Sequence, residues 1–216
     1  MPFSRYCRSG HLLLWGLLLV ACLPAARAQS RLMPHLGVSY EVVVQETRLV
    51  PSTSQGYYFT NLHAGIYYAL YQLNDRFSFG IDPSIHLGGN FTTADPNAVE
   101  VVFDYNLQTP VFLLARVMRA STPYNRQPAG IGLGIGAVAT AYKRTITLSS
   151  FQKAEFAHLA AVLEGNFSTG RGHISIRLRA PLGKVISTVR FSGPTPDTRF
   201  YFSSWGLSVA YGFDRK

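Results

Sequence analysis

The stretch from Arg199 to Phe213, RFYFSSWGLSVAYGF, alternates between two very unequal faces. Side chains alternate across a strand, so Tyr201, Ser203, Trp205, Leu207, Val209, Tyr211 and Phe213 share one side. Phe200, Phe202, Ser204, Gly206, Ser208, Ala210 and Gly212 share the other. From Ser203 onward one face is large and mostly apolar while the other is very small. A soluble sheet normally opposes an apolar face to a charged one. A row of Gly, Ser and Ala instead suits the crowded inside of a narrow barrel whose outside meets lipid. The pattern predicts that the rest of the chain repeats it and closes on this strand.

The first residues stand apart from that pattern. Arg5 and Arg8 precede the apolar run Leu12 to Leu23, which is too short to span a bilayer, and Ala26-Arg27-Ala28 then offers an A-x-A cleavage site. Residues 1–28 therefore read as a signal peptide and residues 29–216 as one domain. An alternative reading takes Leu19-Val20-Ala21-Cys22 as a lipoprotein box with Cys22 lipidated. Cys7 and Cys22 are the only cysteines, so cleavage after Ala28 leaves neither disulfides nor a thiol nucleophile. Loss of Arg5, Arg8 and Arg27 lowers the formal net charge from +9 to +6. The remaining bases are scattered, which favours lipid phosphates over nucleic acid as their anionic neighbours.

Eight segments carry period-two patterning: residues 35–46, 57–71, 76–88, 101–118, 130–142, 155–167, 172–182 and 199–213. Pro83 lacks a ladder donor, so a bulge or local break is expected there, and a register change is expected at Pro110. Glycine recurs at 130, 132, 134 and 136 opposite Ile131, Leu133 and Ile135, which crowding inside a small barrel would explain. No helical pattern follows to make a nucleotide loop of it. With both termini at one end, the long connections after the first, third, fifth and seventh segments fall at the other. Residues 119–129, after the fourth, are longer than that rule expects.

On these faces the lumen receives Glu41, Asp82, Asp104 and Glu164 with Arg116, Arg177 and Arg179. Buried charges must pair, so a salt-bridged plug is expected rather than an ion path. His35, His63, His86, His158 and His173 also fall inside, without a spacing that points to a metal. No cofactor is implied. His173-x-Ser175 places a base and a hydroxyl on one face, similar to outer-membrane lipid A deacylases; the required Glu does not follow, and Glu164 is the nearest before it. Tyr40, Tyr68, Phe77, Tyr105, Phe167, Trp205, Tyr211 and Phe213 suit girdles at headgroup level.

LQTPVFLLARV (107–117), GIGLGIGA (130–137) and GLSVAYGF (206–213) together resemble small outer-membrane β-barrels of the PorT-like and OmpA/OmpX-like kind. The resemblance implies an eight-stranded antiparallel up-and-down transmembrane barrel in the outer membrane of a Gram-negative bacterium. It also implies a barrel-assembly signal, here Trp205, Leu207, Val209, Tyr211 and Phe213, read by the assembly machinery. Asp214-Arg215-Lys216 follow that signal, where the family ends on the aromatic. The expected role is non-enzymatic: structural, secretion-accessory or surface interaction, with lipids and a protein partner at the loops or turns. Two alternatives stay open, a soluble lipocalin-like barrel with inverted faces that binds an apolar ligand, and a lipid-modifying enzyme.

Overall fold

The computed structural model describes residues 31–47, 53–93, 101–122, 124–147, 150–192 and 196–213. The expected signal peptide (residues 1–28, with Cys22) and Asp214 to Lys216 lie outside these residues. Among the described residues there are nine strands: β1 (Leu32–Glu46), β2 (Ser54–Asn74), β3 (Phe77–Thr93), β4 (Val101–Met118), β5 (Ala129–Thr147), β6 (Ser150–Ser168), β7 (Gly172–Pro181), β8 (Val185–Phe191) and β9 (Thr198–Phe213).

β1 to β7 pair antiparallel in sequence order, β7 and β8 each pair with β9, and β1 pairs with β9, so the sheet closes on itself. β7 and β8 lie end to end, and both pair with β6 and with β9. Nine strands thus form eight walls. Pairing of the first strand with the last leaves neither as an edge strand.

The β7–β8 break is an insertion of two residues. Ala160 pairs with Pro181 and Ala154 with Val189, so six steps along β6 face eight along β7–β8. On the other side, Gly206 pairs with Arg179 and Phe202 with Val185, four steps against six. Leu182, Gly183 and Lys184 are exposed at the break, and Lys184 Nζ reaches Glu46 Oε2 at 2.5 Å. The sequence reading placed residues 183–198 in a connection; Val185–Phe191 is strand instead.

Alternation decides which side meets solvent. Leu62, Leu133 and Leu159 are 64–69% exposed, whereas Glu41, Arg116 and Glu164 are 1% exposed. Apolar side chains cover the exterior and polar ones the interior, the reverse of a soluble barrel. The inverted arrangement of a soluble apolar-ligand barrel is therefore not adopted.

The expected register change at Pro110 does not occur. β3 and β4 keep one offset from Phe77↔Val117 to Thr93↔Val101, although no pairs form at Ser84 and Ile85 opposite Thr109 and Pro110. The missing proline donor breaks the ladder locally without slipping it. The local break expected at Pro83 is present against β2, where Ile66 and Tyr67 form no pairs opposite Pro83 and Asp82, and register shifts follow between Ala69 and Tyr71 and between Gln72 and Asn74.

Residues 119–122 and 124–128, in the long β4–β5 connection, fold inward across the end where β1 begins and β9 finishes. Met118 and Ala120 have φ of 64° and 61°, a left-handed turn rare outside glycine, which redirects the chain. Ser121 Oγ donates to Asp75 O at 2.8 Å in the β2–β3 turn. Arg119 Nη2 donates to Gly172 O at 2.7 Å, at the start of β7. Four strands separate these two anchors around the ring, so the segment bridges opposite rims. Arg119, Ala120, Ser121, Thr122 and Asn125 are buried. The unexpected length is thus a cap.

Candidate functional site

The lumen is the chemically distinctive region, because strand alternation sends most buried charges there. Six of the seven expected charges meet in two groups. In the first, Arg116 of β4 grips Glu164 of β6 with Nε to Oε1 at 2.8 Å and Nη2 to Oε2 at 3.0 Å. Arg177 of β7 donates Nε to Glu164 Oε2 at 2.6 Å, and its Nη2 forms an ion pair with Asp82 Oδ2 at 2.7 Å. Asp82 Oδ1 also meets His35 Nε2 at 2.8 Å. Two arginines thus face two carboxylates, and the charges cancel. Asn166 Nδ2 donates to Glu164 Oε1 at 2.5 Å, and the Arg116 guanidinium lies 4.0 Å from the Tyr67 ring centroid.

The second group lies nearer the loop end. Arg179 Nη2 donates to Glu41 Oε2, and also to Gln108 Oε1 at 2.6 Å. Glu41 Oε1 meets His86 Nδ1 at 3.2 Å. His63 stacks on His86, with centroids 4.7 Å apart, and lies 5.8 Å from His35. The three imidazoles connect the two groups.

Asp104 does not join this network. It is buried near the loop end of β4, and its Oδ1 accepts from Thr145 N at 2.7 Å. Its position near the end of a long strand places it above the other charges. His158 accepts or donates with Ser204 Oγ at 3.2 Å, apart from the three linked histidines. Among the described residues, no group of three or more His, Cys, Asp or Glu side chains is placed to hold a metal ion.

His173 and Ser175 both face the buried interior rather than the lipid side, and Ser175 Oγ donates to Asn166 Oδ1. Glu164 is engaged by Arg116 and Arg177. The expected assembly residues behave differently: Trp205, Leu207, Val209 and Phe213 are all exposed and form one outward stripe with Tyr211, on the strand that closes against β1.

The sequence reading missed two apolar fillings of the lumen. Val43, Tyr57, Phe59, Tyr142, Phe156 and Phe202 pack at the loop end, where Phe156 stacks on Phe202 at 4.8 Å. Met33, Tyr67, Phe112, Leu114, Val138 and Val162 pack beside the first ion group. The hints were Phe112, Leu114 and Phe202, large residues at inward positions. Aromatic packing lies at one end of the bore, cancelled charges in the middle and the cap at the other.

No family model and no curated protein sequence matches the chain. Among solved structures it is similar to Neisserial surface protein A, at 11% identity and TM-score 0.46, over 84% of this chain and 97% of that one. It is similar to Ail, the attachment invasion locus protein of Yersinia pestis, at 11% identity and TM-score 0.46, over 85% and 99%. The N-terminal β-barrel domain of Pseudomonas aeruginosa OprF aligns at 11% identity and TM-score 0.35, over 82% and 97%. The chain's own pairing and faces define its class: it is an all-β, eight-walled, antiparallel up-and-down barrel, apolar outside and charged within.

Proposed function

We propose that this chain is an integral outer-membrane β-barrel of the small, closed kind, non-enzymatic, serving as a structural, secretion-accessory or surface-interaction element. One observation carries the reading: the exposed side chains are apolar around the ring while the charges are buried and paired. Such an exterior is stable only against hydrocarbon, and closed barrels are one of two structures that can span it. In this reading the termini and the cap lie in the periplasm and the long connections lie outside the cell. Outer-membrane lipids and the barrel-assembly machinery are its first partners. The narrower PorT-like or OmpA/OmpX-like likeness belongs to the same proposal.

The filled bore favours a non-conducting role. Purified protein reconstituted in planar bilayers is expected to give no discrete conductance steps; regular steps would overturn the closed-lumen reading. The inward placement of Ser175 and its bond to Asn166 favour a non-enzymatic role. Ser175→Ala is therefore expected to leave the acyl pattern of outer-membrane lipids unchanged. An altered pattern would point to lipid modification instead.

A further inference from the structure

Lys143, Lys153 and Arg190 form one row across three adjoining strands. Lys143 of β5 pairs with Lys153 of β6, and Lys153 pairs with Arg190 of β8. Their sequence neighbours Tyr142, Ala154 and Val189 are buried in the lumen, so alternation turns all three outward. Like charges set directly opposite one another destabilise a ladder. These side chains do not splay apart: Lys143 Nζ and Lys153 Nζ lie 4.5 Å and 5.0 Å from the centroid of the same ring, Phe151.

The wall beside the row is open. Residues 155–159 of β6 have no ladder partner on β7 or β8, and a cleft of about 870 Å³ lies there. Lys153, Arg190 and Arg199 line it, with Glu155, Ser187 and Asp197. Lys143 stands beside the recess as the Cα partner of Lys153.

Height on the barrel selects the anion. Leu133 belongs to the exposed apolar exterior, and Lys143 lies ten residues further along the same strand. At a rise of about 3.4 Å per residue and a tilt of about 40°, that is ~26 Å, the height of an outer-membrane apolar band. The row thus stands at headgroup level on the loop side, with apolar wall beneath it for acyl chains.

We propose that Lys143, Lys153 and Arg190 bind the phosphates of a phosphorylated glycolipid headgroup in the outer leaflet. The inference rests on the membrane reading above. Ammonium and guanidinium groups supply charge-assisted bonds to phosphate oxygens, and Ile186 at the cleft offers an apolar contact to the chains.

The test uses the folded full-length protein and its triple variant K143Q/K153Q/R190Q in phosphatidylcholine nanodiscs doped with bis-phosphorylated lipid A or its dephosphorylated form. Retained glycolipid is counted by native mass spectrometry. Wild type is expected to retain the phosphorylated lipid about tenfold better than the triple variant does, and about tenfold better than the dephosphorylated lipid. Equal retention in either comparison would overturn the proposal. Displacement of the lipid by inorganic phosphate at matched concentration would assign the row to free anions instead. Heat-dependent gel mobility, run on both proteins, reports the membrane barrel independently of the lipid result.

Discussion

Arg116 and Glu164 join hands over Gly132. Arg116 on β4 and Glu164 on β6 are both Cα partners of Gly132 on β5, and their side chains meet at 2.8 Å above it. A Cβ at Gly132 would lie 3.2 Å from Glu164 Cβ and 3.4 Å from Arg116 Cγ. The same device recurs at Gly206, which is Cα partner to both Glu41 and Arg179. There a Cβ would meet Glu41 Oε2 at 2.5 Å. Each ion pair spans two strand spacings because the strand between carries no side chain.

That geometry inverts a common rule. Replacing Gly by Ala within a strand ordinarily gains about 0.5–1 kcal/mol. Gly206→Ala is expected to cost about 1–3 kcal/mol, through crowding of the Glu41–Arg179 pair. Gly132→Ala, with its looser contacts, is expected to cost less. Urea unfolding from lipid vesicles measures both; a gain at Gly206 would contradict the arch.

Burial separates the two kinds of ion pair. Glu164→Gln leaves Arg116 and Arg177 short of a buried carboxylate, with an expected cost of about 3–5 kcal/mol. The Lys184–Glu46 clasp is 53% and 23% exposed at its two side chains. Glu46→Gln is therefore expected to change stability by less than about 1 kcal/mol. The same unfolding experiment on both variants gives the contrast.

Charges on the two faces should fail for different reasons. Leu133→Arg and Ile176→Arg put a cation on the exposed apolar exterior, where the cost is about 2–4 kcal/mol at midplane and smaller towards either edge, and both are expected to lower the folded yield. Gly134→Arg is expected to prevent folding sterically, since even a Cβ there lies 2.4 Å from Leu113 O. Tyr124→Arg, exposed in the β4–β5 connection, is the neutral control. Folded yield in vesicles, read by gel mobility, ranks the four.

The cap is held by few groups, and Asn125 is central to them. Its Nδ2 donates to Asp75 O, its O accepts from Arg119 Nη1, and its Oδ1 accepts from Gln127 N at 2.9 Å. Removing both anchors with Arg119→Ala/Asn125→Ala is expected to leave the barrel folded but raise proteolytic cleavage within residues 119–128. Unchanged protease resistance would contradict a side-chain-anchored cap.

Faces were legible in the sequence because period two is read locally. Leu133 opposite Gly134, or Ile176 opposite Arg177, needs no knowledge of partners. The partners were not legible. That Arg116 meets Glu164 over Gly132 depends on the register of three strands, which the turns and the whole closed ring set together. Val185–Phe191 was missed because VISTVRF is flanked by Gly183-Lys184 and Gly193-Pro194, which read as one long connection. The cap was hidden for a related reason: Ser121, Thr122 and Asn125 have loop composition, and only the bonds of Ser121 and Asn125 to Asp75, with that of Arg119 to Gly172, turn the segment inward. Asp104 pointed inward as expected, but its height above the network was fixed by strand length beyond the alternating core.

The most direct measurement is the electrophoretic mobility of the protein from a purified outer-membrane fraction, boiled against unboiled. A lipid-facing closed barrel is expected in that fraction and to resist detergent until heated, so the two samples should migrate differently. Recovery in the soluble fraction with identical mobility before and after boiling would contradict the membrane barrel.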